Sequence, residues 1–251
     1  MEQERQRTVI QACLLAGKIM LQSGAETYRV EDTMMRIASA AGMKQSQCFV
    51  TPTGIIFSFE GLKPTHFIRI HTRGTDLEKI AKVNAISRDL AARVIDAEEA
   101  LAQLERIEKE TVSYPVFVQV IAAALISASF YLLFGGVWQE SFAAMIAGGA
   151  GYASLVLIER LTNVKFFAEF FAAVSVAYVA FFLVQTEIGN DLDRIIIASV
   201  MPLVPGILIT NAVRDLMAGH LFAGVTKGAE AMLTAFAIGA GVAVIFIVFI
   251  N

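Results

Sequence analysis

The sequence predicts an integral membrane α-helical bundle of about five transmembrane helices preceded by a small cytoplasmic α+β domain. Three observations lead there. Of the 251 residues 56% are hydrophobic and only 17% charged, against about a quarter charged in an ordinary soluble domain. Most of the charged residues precede Tyr114, and the remainder of the chain is a series of long apolar runs separated by short polar joints. The expected division is a cytoplasmic α+β domain over 1–113 and a transmembrane domain over 114–251.

In the first region, apolar residues recur at helical spacing from Thr8 to Met20, and Ser23-Gly24 supplies a stop. A second helix is expected from Thr27 to Ala41, closed by Gly42, so that the two form a hairpin. Ser23 and Glu26 fit a capping box at its start. Three β-like segments come next, Gln47–Thr51, Gly54–Glu60 and His66–Thr72, separated by the turn chemistry of Thr-Pro-Thr-Gly and Gly-Leu-Lys-Pro. They read as a small antiparallel sheet. From Asp76 to Glu110 a charged helical stretch carries Leu77, Ile80, Val83, Ile86, Leu90 and Leu104 on one stripe; it either folds back over the sheet or leads into the membrane. A coiled coil is the weaker reading, because Asn84, Ser87 and Arg88 interrupt the stripe.

A spanning helix needs roughly 20 mainly apolar residues. The segments that qualify are about 115–134, 142–158, 166–184, 195–212 and 229–250. Pro115 suits a first helical turn, and Tyr114 and Trp138 lie where interfacial aromatics belong. Lys and Arg mark every second connection: Arg160 and Lys165, then Arg214 and Lys227, whereas 135–141 has none and 185–194 only Arg194. By the positive-inside rule the N-terminus lies in the cytoplasm and the C-terminus outside, in a bacterial inner membrane.

Composition also excludes. A net charge of −3 without a basic patch argues against nucleic-acid binding. Cys13 and Cys48 lack the spacing of a disulfide framework or zinc site and read as reduced packing thiols. The opening residues, interrupted by Lys18, are not expected to be a signal peptide. No Ser-His-Asp arrangement, nucleotide loop or metal-spaced His pair supports catalysis, so neither an enzyme nor a cofactor is expected.

The residues that fit transport lie mainly between Met201 and Leu233. Pro202, Pro205 and Gly206 fall within a span and predict a broken helix, the device by which transporters expose backbone groups at mid-membrane; a proline kink packed in protein is the plainer reading. Downstream come Asn211, Arg214, Asp215, His220, Lys227 and Glu230. Arg214 could pair with a substrate carboxylate, or with Asp215 or Glu230. Glu169 is a candidate proton-coupling carboxylate inside the third span, unless it reaches back to Lys165. Asp215 and Glu230 are further ion-coupling candidates. Gly148, Gly149 and Gly151 form a small-residue face for close helix approach. In the soluble region Glu26, Thr27, Arg29, Glu31 and Asp32 make a polar motif that Thr51, Thr53, Arg69 and Arg73 could meet across the sheet.

Together GAETYRVEDTMMRI, TPTGIIFSF, the pair Arg69 and Arg73, and LVPGILITNAVRDLMAGHLFAGVTKGAEA resemble the threonine/serine exporter family, N-terminal domain type, over nearly the whole chain. The matching signature falls on Gly24, Glu26, Thr27, Arg29, Glu31 and Asp32, on Thr51, Pro52 and Gly54, and on Pro202, Pro205, Gly206, Arg214, Asp215, Gly219, Gly224, Lys227 and Glu230. Full-length members resemble this chain followed by a second, smaller membrane domain, and split members place the halves on separate subunits. The resemblance therefore implies a smaller membrane subunit as partner, and export of threonine and serine or of a dicarboxylate such as succinate. From physics, Arg214, Lys227, Asn211 and the broken-helix backbone at Pro202, Pro205 and Gly206 are the anion-facing candidates. Without a nucleotide motif, an ion gradient is the expected energy source. The alternative is a membrane-anchored sensor or scaffold, which predicts an unbroken fourth helix. Five helices make a small transporter, so association with the partner or with further copies of the chain is expected.

Overall fold

The computed structural model describes residues 2–43, 45–59, 62–110, 114–162 and 164–250. They form two compact units. The first takes Met1–Val112 together with Ile207–Ala229, the second Ser113–Gly206 together with Glu230–Asn251. The chain thus returns to its first unit after passing through most of the second.

The first unit opens with α1 (Glu2–Gln22) and α2 (Thr27–Ala40), the expected hairpin. Gly42 at φ 90° closes the second helix, a conformation that costs glycine little. The sheet is β1 (Ser46–Thr51), β2 (Gly54–Phe59) and β3 (Leu62–Arg69), antiparallel in the order β1-β2-β3. Its third strand begins four residues before the sequence placed it; the end of the second predicted strand at Glu60 and the turn residue Gly61 lie outside the described residues. Val50, Ile55 and Phe57 face the core.

Where the sequence reads as one helix over 76–110, there are two, α3 (Leu77–Ala91) and α4 (Ala97–Lys109). The stripe hides a break at Arg93, whose φ of 58° ends the first helix, and Asp96, whose carboxylate accepts the Glu99 N–H and caps the second. These helices fold onto α1 and α2 rather than over the sheet. Lys18 and Lys82 tie α4 and its end to the rest, at 2.7 Å to Glu108 and 2.6 Å to Glu110. The core of the unit runs through Val9, Cys13, Met20, Val30, Met34, Ile55, Phe57, Val83 and Leu104.

The second unit holds α5 (Val116–Leu133), α6 (Ser141–Thr162), α7 (Lys165–Gln185) and α8 (Leu192–Val200). Small residues dominate its contacts. Gly148 lies against Ser127 of α5, and Gly151 against Val176 and the Ala172 carbonyl of α7, so that neither site has room for a Cβ. After a single 3₁₀ turn at Met201–Leu203 the chain breaks, because Pro205 has no N–H to continue the ladder, and resumes as α9 (Gly206–Met217). The predicted fourth span is therefore two helices. Among the described residues four helices are individually long and apolar enough to cross a membrane, or up to five if the broken pair counts as one. The last, α10 (Leu221–Ile245), starts eight residues before the expected 229 and so contributes residues to both units.

Candidate functional site

The strongest concentration of buried polar side chains in the first unit surrounds the α1–α2 turn. That turn is built by glycine: Gly24 adopts φ 84°, and a Cβ there would stand 2.7 Å from the Gly74 carbonyl. Ala25 N donates to Met20 O at 3.0 Å, closing α1. One side of the turn is held by the segment before α3, where Gly74 N donates to Gln22 O and Asp76 N to Ser23 O at 2.8 and 3.0 Å.

The other side is held by α9 and the start of α10. The turn between these two helices passes through Gly219 at φ 86°. Gly224 lets them close up, since a Cβ there would meet Leu216 and the Ala212 carbonyl. The close approach brings Lys227 to Asp215. Lys227 Nζ donates to Asp215 Oδ2 at 2.7 Å, to the Ala25 carbonyl at 3.2 Å and to Thr27 Oγ1 at 3.3 Å. All three ammonium protons are used. Asp215 Oδ1 accepts the backbone N–H groups of Thr27 at 2.8 Å and Tyr28 at 3.4 Å. Asn211 Nδ2 donates to the Gly24 carbonyl at 2.8 Å.

The capping box expected at Ser23 and Glu26 is not what starts α2. Glu26 occupies the cap position without a side-chain cap bond. Asp215, 188 positions along the chain, supplies the acceptor for the first free N–H of the helix. Glu26 is thereby released to bridge two guanidiniums, Arg214 at 2.5 Å and Arg29 at 3.0 Å. Burial pushes its carboxyl up, but a backbone hydrogen bond and the two arginines outweigh that and hold it below its ordinary value. Arg214 pairs with Glu26, and Asp215, one of the partners the sequence suggests for it, holds Lys227 instead.

Glu26, Thr27, Asp215 and Lys227 are buried, with Asp215 wholly so. Arg214 differs: half of its side chain is exposed. Three cations, Arg29, Arg214 and Lys227, face two carboxylates, Glu26 and Asp215, which leaves one positive charge on the cluster.

The other expected site residues separate from this cluster. Glu31 Oε1 accepts the Val50 N–H at 2.8 Å, fixing α2 to β1, while its other oxygen lies 3.8 Å from His220 Nε2. Asp32 pairs with Arg36 on the exposed side of α2. Thr51 Oγ1 donates to the Gly54 carbonyl within the β1–β2 turn. Thr53, Arg69 and Arg73 are exposed; Glu26, Glu31 and Asp32 are partnered elsewhere, so Thr53 and Arg69 do not complete the motif across the sheet. In the second unit Glu169 is buried in α7, and the side chain of Lys165, its expected partner, lies outside the described residues. Pro202 is in the 3₁₀ turn, Pro205 and Gly206 stand at the break, and Glu230 is half-buried on α10. What the sequence does not reveal is that the carbonyls of Gly24 and Ala25 and the N–H of Tyr28 complete the site. Backbone groups leave no compositional trace.

The chain matches the ThrE threonine/serine exporter family over residues 11–249. It is 28% identical to the probable succinate transporter subunit YjjP of Escherichia coli, across 96% of this chain and 95% of that protein. It is 22% identical to the probable threonine/serine exporter of Mycobacterium tuberculosis and 24% identical to the threonine/serine exporter of Corynebacterium glutamicum. These alignments cover 94% and 90% of this chain but 45% and 48% of theirs. The chain therefore spans nearly all of the first relative and about half the length of the other two. No solved structure matches it.

Proposed function

The chain belongs to the ThrE threonine/serine exporter family, and from that premise we propose that it is one subunit of a secondary exporter that moves small carboxylate metabolites out of the cytoplasm. The observation that carries this reading is the end-to-end match to a relative named as a transporter subunit. The chain equals in extent a relative named as a transporter subunit, and about half of two relatives named as exporters. A smaller membrane protein supplying the second half is the partner, and succinate or threonine and serine are the substrates. The chain carries out no chemical reaction. It lies in the bacterial inner membrane, with residues 1–113 in the cytoplasm and the C-terminus outside, a reading supported by the alternation of Lys and Arg between connections.

Within this reading Arg214 is the substrate-facing group. Its side chain is half exposed while holding the Glu26 carboxylate, and a carboxylate is what a substrate would present. One positive charge left over on the cluster supports an anionic guest. Lys227 fits a structural part, because a substrate could reach it only by displacing three existing acceptors. Asp215, which accepts from Thr27, Tyr28 and Lys227, likewise fits a clamp better than a proton carrier. Proton coupling falls to Glu169 and Glu230, carboxylates on helices apolar enough to span. The break at Val204 and Pro205 supports an exporter over a sensor or scaffold with an unbroken fourth helix.

Efflux of labelled succinate, threonine and serine from cells lacking the native exporter tests the proposal. Export restored by the chain with its small partner, and by neither alone, is expected. Full export by the chain alone would remove the half-transporter reading, and no export of any of the three would remove the substrate class.

A further inference from the structure

A second basic site lies on the first unit, away from the α1–α2 turn. Arg29, Asp32, Thr33 and Arg36 succeed one another at helical spacing along α2, and Ala81, Asn84 and Arg88 along α3. Between the two stripes runs an open groove of about 370 Å³, within the range of roughly 300–1,000 Å³ typical of small-ligand pockets. Its floor is polar and fixed: Thr33 Oγ1 donates to Asn84 Oδ1 at 3.2 Å, and Asn84 Nδ2 to the Ile80 carbonyl at 3.0 Å.

The lining carries three arginines and one carboxylate. Here Asp32 answers Arg36 alone, Arg29 is satisfied only by Glu26 at the head of the helix, and Arg88 has no carboxylate partner among the described residues. Ala81 keeps the middle of the groove open. We infer that this α2–α3 groove binds a small dianion, either a dicarboxylate or a phosphate, through the guanidiniums of Arg29, Arg36 and Arg88 above the Thr33–Asn84 floor. Guanidinium groups suit this ligand class because each presents paired donors to two oxygens. Arg29 is shared, since the group that lines the groove also holds Glu26 and, through it, Arg214.

The inference goes beyond transport and is tested without it. The full chain in zwitterionic nanodiscs at low salt is titrated calorimetrically with succinate, with inorganic phosphate and with threonine. Saturable binding of succinate or phosphate is expected, the two arms telling a dicarboxylate site from a phosphate site. Arg88→Ala and Arg36→Ala should each weaken it about tenfold, the loss of a charge-assisted hydrogen bond, with the melting temperature unchanged. No binding of either dianion at millimolar concentration would overturn the site. So would a binding stoichiometry and affinity left unchanged by the double substitution, or threonine binding with the same dependence on Arg88; succinate binding that persists at reduced stoichiometry belongs to the Arg214 site.

Discussion

Asp215 Oδ1 accepts the backbone N–H of Thr27 at 2.8 Å, so a carboxylate on α9 caps a helix that begins 188 residues earlier. The same carboxylate holds Lys227 at 2.7 Å. Two jobs done by one buried group make the α1–α2 turn and the α9–α10 pair a single structural piece.

Asp215→Ala removes the cap and leaves the Lys227 ammonium buried without its counter-ion. Breaking one partner of a buried pair costs about 3–5 kcal/mol. Thermal unfolding of the purified chain, tracked by reaction of a fluorogenic maleimide with Cys13, should show a large drop in midpoint. A second loss of similar size on adding Lys227→Met is not expected, because the pair acts as a unit; additive losses would mean that the two residues are energetically separate.

Glu26 gives the first unit a pH dependence. Its folded value lies below the ordinary 4.5, so its ion pairs stabilise fully above that value, and the contribution is lost as pH falls through the lowered one. The stability gap between the native chain and Glu26→Gln should therefore be constant above about pH 5.5 and shrink on acidification below about 4.5. A gap that widens toward acid would reverse the assignment.

Gly24→Ala places a Cβ at φ 84°, 2.7 Å from the Gly74 carbonyl. The left-handed conformation alone costs a non-glycine residue about 1–2 kcal/mol, and the contact adds to it. Gly42→Ala has the same backbone cost but open space around it. The Gly24 variant should thus melt lower than the Gly42 variant, and equal midpoints would remove the contact from the explanation.

Both cysteines should resist alkylation in the folded chain. Cys13 is fully buried and its thiol is pushed far up by that burial; Cys48 is pushed up to about 12 by burial and by the Glu31 carboxylate. Iodoacetamide at about pH 8, near the ordinary thiol value, should label neither until denaturant is added, as intact-mass measurement would show. Rapid labelling of Cys13 under native conditions would mean that the α1 core opens readily.

The membrane helices are legible in the sequence because apolar runs of spanning length and Pro205 are local signals. The α1–α2 hairpin is legible for the same reason. Asp76–Glu110 misleads because its apolar stripe keeps helical spacing across residues 92–96, so that periodicity cannot register the left-handed turn at Arg93. The site is half legible. Glu26, Arg29, Arg214, Asp215 and Lys227 each stand out as charges in unusual company, but their pairing joins positions some 200 apart. No spacing rule links Thr27 to Lys227. A capping box at Ser23 is what local chemistry favours, and a long-range acceptor displaces it.

Arg214 carries the central proposal, because it is the more exposed of the two arginines that hold the Glu26 carboxylate. Efflux of labelled substrate from cells expressing the chain with its small partner should fall to background with Arg214→Ala, and Arg214→Lys should retain part of it, both variants reaching the membrane at the native level. Unchanged export by Arg214→Ala, at native expression, would show that the Glu26–Arg214 cluster only holds the fold together and that the substrate is recognised elsewhere.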